Sequence, residues 1–162
     1  MNLTPGSRRR DRAYWDGRHV VIVGAGLSGI AAAHLLLDCG ARVTLNDARP
    51  EAEITEAAGI MEHGATLIAG GHPDELWTNV QTAVLSPGIR PDAPVVSAAR
   101  HAGVEIVAEI EVAAGLIESP IIAITGSNGK STVTSMVGAI LSGAGLQAVA
   151  ARAQIVKRIN DV

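Results

Sequence analysis

The 162-residue sequence contains no phenylalanine, one tyrosine and two tryptophans, so aromatic residues make up only 2% of it. Its core is therefore aliphatic, drawn from the Ala, Val, Ile and Leu that supply most of a 48% hydrophobic composition. The single cysteine, Cys39, excludes an internal disulfide, and its place late in an apolar helical pattern reads as a small buried hydrophobe. No apolar run reaches the roughly 18 residues that a membrane span requires, and no apolar stretch precedes a small-residue cleavage site near the amino terminus. These absences point to the cytoplasm. A long basic run is also missing, and the formal net charge is -3, which removes the electrostatic footprint of nonspecific nucleic-acid binding. Arg8, Arg9, Arg10 and Arg12 form the local exception, expected to lie in a solvated, disordered leader over residues 1–18.

What is present alternates between two periodicities. Short apolar runs at His19 to Val23, Arg42 to Asn46, Ala65 to Ala69, Thr82 to Leu85 and Val104 to Val107 read as strands. Between and after them, helical patterns cover Ser28 to Asp38, Glu51 to His63, Val95 to His101 and Ile110 to Ile117. Strands alternating with helices at this spacing predict an α/β fold, a parallel sheet with helices on both faces. Ser119-Pro120 breaks the pattern, and Pro120 to Thr125 begins again with a strongly apolar strand, a glycine loop and a helix from about Ser131 to Ser142. A chain of this length has room for one domain and a piece of another. The predicted organisation is thus a leader (1–18), a Rossmann-like domain (19–118) and the start of a second α/β unit (119–162). Leu146 to Ala150 is the one further strand candidate. So few strands would leave apolar faces exposed, and self-association through that incomplete unit is the expectation.

Two glycine loops carry the chemistry. Gly24-Ala25-Gly26-Leu27-Ser28-Gly29 matches G-x-G-x-x-G between a strand and a helix. There glycines permit a tight turn and close approach of a pyrophosphate, and the helix N-terminus favours an anion. Asp47, just past the second strand, can accept hydrogen bonds from a ribose or a base. Taken alone, this loop favours NAD or FAD, with another nucleotide or a purely structural turn as alternatives. Gly126-Ser127-Asn128-Gly129-Lys130-Ser131-Thr132 places Gly-Lys-Ser at a second strand-to-helix junction. Its backbone N–H groups can cradle phosphates, Lys130 can reach the terminal phosphates and the Ser131 hydroxyl can ligate Mg²⁺. It departs from the standard G-x-x-x-x-G-K-[ST] pattern, whose first glycine would fall at Ile124. Of thirteen Lys and Arg residues, only Lys130 and Lys157 are lysines, and one of them stands in this loop. After the fourth strand, Ser86-Pro87-Gly88 is a turn in which proline sets φ and glycine tolerates a positive φ.

The order of these features resembles the Mur ligases, ATP-dependent amide ligases that build the peptidoglycan stem peptide. Thr125 to Thr132 resembles their ATP-binding signature. Within the family, the loop Gly24 to Gly29, the sequence Ser86-Pro87-Gly88-Ile89 and the stretch Gly103 to Glu111 look like the member that adds D-glutamate. The resemblance covers roughly residues 19 to 146; beyond Gly145 there is no match. It implies a first domain that holds the UDP end of UDP-N-acetylmuramoyl-L-alanine rather than NAD. Gly26, Leu27, Ser28, Asp47 and Arg49 would lie at the uridine, and Ser86, Pro87 and Gly88 at the pyrophosphate. Ala48 stands where relatives commonly carry threonine, which removes one side-chain contact. The resemblance further implies ATP and Mg²⁺ at Gly126 to Thr132. Lys130 would be the catalytic cation and Ser131 the metal ligand, with phosphoryl transfer to the substrate carboxylate preceding attack by D-glutamate. Later family residues needed for turnover have no counterpart, so the chain by itself is not expected to catalyse the reaction.

Two other readings stand beside this one. The first is an NAD- or FAD-binding oxidoreductase module, for which the second loop has no use. The second is a non-catalytic nucleotide-binding protein derived from a ligase. His34, His63, His72 and His101 lack metal-ligand spacing and read as surface or helix-packing residues. Trp15 and Trp77 read as covers for the domain edge, and Glu109 and Glu111 as helix-capping or solvated carboxylates.

Overall fold

Valine and isoleucine fill the first strand, His19–Val23 (β1), where Val20 to Val23 are fully buried. A continuous apolar run of β-branched residues, rather than an alternating one, is what a strand covered on both faces requires. In the computed structural model, which describes residues 10–148, β1 lies at the centre of a five-stranded sheet. Arg42–Asp47 (β2), Thr66–Ala69 (β3), Thr82–Leu85 (β4) and Glu105–Ala108 (β5) complete it in the order β3-β2-β1-β4-β5. Every pairing is parallel. The expected α/β architecture is the one found.

The alternation of side chains across the sheet divides the core in two. Val20 and Ile22 join Leu36, Leu45, Ile60, Val84 and Val107 on one face. Val21 and Val23 join Trp77, Leu85, Val95, Val96 and Ala99 on the other. Leu27–Leu37 (α2), Ala58–Glu62 (α3) and Glu109–Leu116 (α5) contribute to the first face, and Pro94–His101 (α4) to the second.

Several expectations need correction. Residues 10–17 are not a solvated leader, for Arg12–Trp15 forms a short helix (α1) capped by the Asp11 side chain. Trp15 does not cover an edge: it is fully buried in the first core, and its indole N–H donates to the Arg10 carbonyl at 3.3 Å. Arg10 itself reaches Glu105 at 2.8 Å and Glu111 at 3.1 Å, while the Arg18 guanidinium lies 4.0 Å from the Tyr14 ring centroid. The Tyr14 hydroxyl is hydrogen-bonded to the Glu105 carboxylate. Burying an indole and pairing its neighbouring charges offset the entropy of ordering the segment. Arg8 and Arg9 lie outside the described residues.

The helix expected over Glu51 to His63 is interrupted. Two 3₁₀ turns, Glu51–Glu53 and Thr55–Ala57, precede α3. At Ile54 the backbone adopts φ -114° and ψ 59°, outside the helical region, with its side chain buried in the first core. Here tertiary packing overrides the local pattern.

The chain divides between Ile117 and Glu118 into two compact units. In the second, the described residues hold one helix, Lys130–Gly143 (α6), and no strand. Pro120 to Thr125 is irregular backbone rather than the expected strand, because no ladder partner for it occurs among the described residues. Of the other strand candidate, Leu146 to Ala148 are also irregular and positions 149 and 150 lie outside the described residues. No residue of α6 is buried, and Ile121, Ile122, Val133, Met136 and Ile140 are all exposed.

Candidate functional site

The strand order fixes where a ligand crevice opens. From β1 the chain runs outward through β2 and β3, then returns to β4 on the other side of β1 and continues to β5. In such sheets the loops after the two strands flanking the reversal diverge, and a crevice forms beyond their carboxyl ends. Here those loops are Gly24 to Gly29 after β1 and Ser86 to Gly88 after β4. They are joined directly, since the Ser86 hydroxyl donates to the Gly24 carbonyl at 2.9 Å.

Glycine is required at two points of the first loop. Gly24 has φ +102°, and a side-chain carbon there would stand 3.0 Å from both Cβ and Oγ of Ser86. A side-chain carbon on Gly29 would stand 1.9 Å from the Gly24 carbonyl oxygen, so any larger residue forces α2 away from the loop. The N-terminus of α2 has no side-chain cap and presents its first N–H groups toward an incoming anion. On that first turn Leu27 is 82% exposed and Ser28 is half-buried.

Asp47 ties the loop after β2 to the same place. One carboxylate oxygen accepts from the Ala25 N–H at 2.8 Å and from an Arg49 terminal nitrogen at 2.9 Å. The other accepts from the Arg49 N–H at 2.9 Å and from Nε at 3.0 Å. Hydrogen bonding by the Arg49 side chain, reinforced by the two backbone donors and opposed by burial, lowers the Asp47 pKa to about 2. Asp47 is nearly buried, whereas 43% of the Arg49 side chain is exposed. Arg49 also donates to the Ala25 carbonyl at 3.3 Å.

Behind this layer lies a residue that the sequence reading passes over. Asn46 is fully buried. Its amide donates to the carbonyls of Ile68 at 3.0 Å and Gly71 at 2.8 Å, and its own carbonyl accepts from the Gly24 N–H at 2.8 Å. His72 completes the network on the Asn46 side-chain oxygen; it is exposed, as expected of a surface residue, and braces Asn46 from there. The signal for Asn46 was an asparagine inside an apolar strand, where that residue type is disfavoured.

Gly26, Leu27, Ser28, Asp47, Arg49 and Ser86 therefore converge at the carboxyl ends of β1, β2 and β4, with Pro87 half-buried and Gly88 exposed just beyond Ser86. The remaining singled-out residues lie elsewhere. Glu111 is engaged by Arg10, and burial pushes the Glu109 carboxyl up. His34 stacks edge-on with His63 at 5.2 Å. No cluster of His, Cys, Asp and Glu able to hold a metal ion occurs among the described residues. A depression of about 320 Å³ opens at the opposite, amino ends of the strands beside His19, Arg42 and Thr66, and no residue of the Gly24 or Ser86 loop lines it.

The second loop belongs to the second unit. Gly126 and Gly129 have φ +154° and +77°, and Gly129 is the N-cap of α6 with no side-chain cap bond. Lys130 folds back so that its ammonium contacts the Gly126 carbonyl and approaches that of Ser127 at 3.5 Å. Gly126 to Thr132 are exposed. The arrangement fits a phosphate group, with an uncapped helix start and a cation on one short, glycine-rich arc.

The model of the Mur ligase MurD-like N-terminal domain matches residues 18–108. The chain belongs to that family. Among curated relatives, the UDP-N-acetylmuramoylalanine--D-glutamate ligase of Syntrophotalea carbinolica is 43% identical over 129 residues, covering 80% of this chain and 29% of the relative. The ligase of the same name from Chromobacterium violaceum is 44% identical over 140 residues, covering 85% and 31%. The chain thus spans less than a third of the length of these MurD relatives. Of solved structures, a pseudomurein peptide ligase type C from Methanothermus fervidus superposes with a TM-score of 0.56 at 26% identity, over 80% of this chain and 27% of that one. A UDP-N-acetylmuramate:L-alanyl-gamma-D-glutamyl-meso-diaminopimelate ligase from Neisseria meningitides gives 0.54 at 19% identity over 80% and 40%, a likeness of fold alone. No helix among the described residues is long and apolar enough to cross a membrane.

Proposed function

We propose that this MurD-like chain supplies the UDP-sugar-binding lobe and the phosphate loop of a cytoplasmic ligase that joins D-glutamate to UDP-N-acetylmuramoyl-L-alanine at the expense of ATP. One observation carries the reading: the crevice between the Gly24 and Ser86 loops, locked by their mutual hydrogen bond and flanked by Arg49. Its uncapped helix start and backbone N–H groups suit a pyrophosphate. The exposed edge of Arg49 and the outward Leu27 and Ser28 suit the uridine end. Asp47 acts there chiefly by fixing Arg49 and the Ala25 N–H.

The same saturation argues against a dinucleotide cofactor. An NAD site uses a carboxylate at this position to accept from ribose hydroxyls. The Asp47 oxygens already take four donors from their own chain, which fills the acceptor capacity of a carboxylate.

In the second unit, Gly126, Ser127, Asn128, Gly129, Lys130, Ser131 and Thr132 would hold the ATP phosphates, with the Ser131 hydroxyl offered to Mg²⁺. Bound there, the nucleotide supplies the phosphoryl group that makes a carboxylate reactive. Lys130 contributes a positive charge whose present partners are backbone carbonyls, which a phosphate can replace.

Calorimetric titration of the chain with UDP-N-acetylmuramoyl-L-alanine, NAD and ATP with Mg²⁺ tests the proposal. Saturable binding of the UDP-sugar and of ATP is expected, with no binding of NAD. Lys130→Ala should weaken ATP about tenfold, equivalent to about 1.4 kcal/mol, and leave the UDP-sugar affinity unchanged. Saturable NAD binding without UDP-sugar binding would overturn the reading.

A further inference from the structure

Two loops beside the crevice each carry an arginine forked onto an aspartate two positions away: Asp47 with Arg49 after β2, and Arg90 with Asp92 after β4. The two pairs differ in how tightly the arginine is committed. The Asp47 side chain is only 11% exposed, and its carboxylate also holds backbone N–H groups of Ala25 and Arg49. Displacing Arg49 would therefore strip a nearly buried charge of its main partner. The Arg90 and Asp92 side chains are 80% and 68% exposed. Solvent screens such a pair, and the ordering of two side chains offsets much of what remains. Another anion can take Asp92's place at little cost.

The position of Arg90 makes that exchange relevant. The Ile89 N–H donates to the Ser86 carbonyl at 3.0 Å, closing the turn after β4. Ile89 Cγ1 comes within 3.6 Å of where a side chain on Gly24 would begin. Arg90 follows directly, so its long stem is rooted where the two crevice loops touch. Nε at 3.0 Å and a terminal nitrogen at 2.8 Å meet the two oxygens of Asp92 in parallel. That fork matches any group with two acceptor oxygens at similar spacing, a phosphate as well as a carboxylate.

We propose that Arg90 is a substrate-binding residue that exchanges Asp92 for the pyrophosphate oxygens of the UDP-sugar, with Asp92 holding the guanidinium extended beforehand. The proposal rests on the UDP-sugar reading of the crevice and adds a second arginine, at the pyrophosphate, to a site whose other cation, Arg49, lies at the uridine end. It also assigns Asp92 a competing role, so the two residues have opposite effects on affinity.

The test is calorimetry of the chain and its Arg90→Ala, Arg90→Lys and Asp92→Asn variants against UDP-N-acetylmuramoyl-L-alanine, UDP and uridine at two salt concentrations. Arg90→Ala should weaken both phosphate-bearing ligands about tenfold and flatten their salt dependence, while uridine binding stays unchanged. Arg90→Lys should recover only part of that loss, because an ammonium cannot fork. Asp92→Asn should tighten both ligands about two- to threefold by removing the competitor. Equal affinities for wild type and Arg90→Ala would overturn the role of Arg90 while leaving the UDP-sugar reading standing, and an equal loss for uridine would reassign the effect to the shape of the loop. A wild-type chain that binds neither UDP nor the UDP-sugar overturns both readings together.

Discussion

Both glycine loops sit ahead of a helix N-terminus, yet they are held by different kinds of partner. The Gly24 loop is fixed by groups 22 and 62 positions away in sequence: Asn46 and Asp47 at the end of β2, and Ser86 after β4. The Gly126 loop closes on itself through Lys130, four positions on. A loop braced by distant strands is pre-organised before any ligand arrives. A loop closed by a lysine four positions on has to give up that contact when a phosphate enters, and ordering on binding lowers affinity. Two glycine-rich loops that open helices are thus held by distant strands in one unit and by a nearby lysine in the other.

The contrast can be broken most forcefully at Trp15. If the first unit owes its rigidity to a core that includes the amino-terminal segment, Trp15→Ala should cost about 3–5 kcal/mol. Urea unfolding followed by the fluorescence of Trp77, which lies in the other core, would report it. A loss below about 1 kcal/mol would instead mean that Trp15 merely shields an edge.

The next effect in size compares glycines across the two loops. Gly29→Ala drives a carbon into the Gly24 carbonyl; it should cost about 1–3 kcal/mol and abolish UDP-sugar binding. Gly129→Ala meets nothing within 4 Å but must adopt φ +77°. It should cost about 1 kcal/mol, felt only at the start of α6. Circular dichroism and thermal melts of both variants distinguish the cases, and similar losses of unit 1 stability in both would erase the distinction.

The smallest effect sharpens the electrostatic side. The folded Asp47 pKa, about 2, lies below its ordinary 3.8. The carboxylate therefore stabilises the fold fully above pH about 4, and the contribution disappears as pH falls through about 2. Asp47→Asn should cost roughly 1–2 kcal/mol at neutral pH after allowance for partial exposure. The gap from wild type should close as the medium is acidified. A gap that persists at pH 2 would assign the loss to packing instead.

How much of this was legible in the sequence follows from which interactions are local. The five strands of the first unit could be read from their apolar runs, but a run of the same kind at Pro120 to Thr125, which also ends in glycine, forms no strand because it finds no ladder partner among the described residues. The interruption at Ile54 could not be read, since it depends on where the core lies. Arg10 looks solvated by composition, and only the presence of Glu105 and Glu111 about a hundred positions later makes it structural. Asn46 and His72 were visible as residue types, but their partnership needs the fold. Gly26, Leu27, Ser28, Asp47, Arg49 and Ser86 could be named from motif and resemblance together. That Asp47 is occupied by its own chain, and that Arg90 stands at the rim, required coordinates.

The amino-terminal segment also has a consequence in time. Trp15 lies between strands and helices that finish with Val112, and Arg10 is separated from Glu111 by 101 positions. On a ribosome adding about 5–20 residues per second, the indole waits on the order of 5–20 s for the last of those partners to emerge. During that interval the largest side chain of the first core has nowhere to go, so hiding it depends on residues synthesised about a hundred positions later.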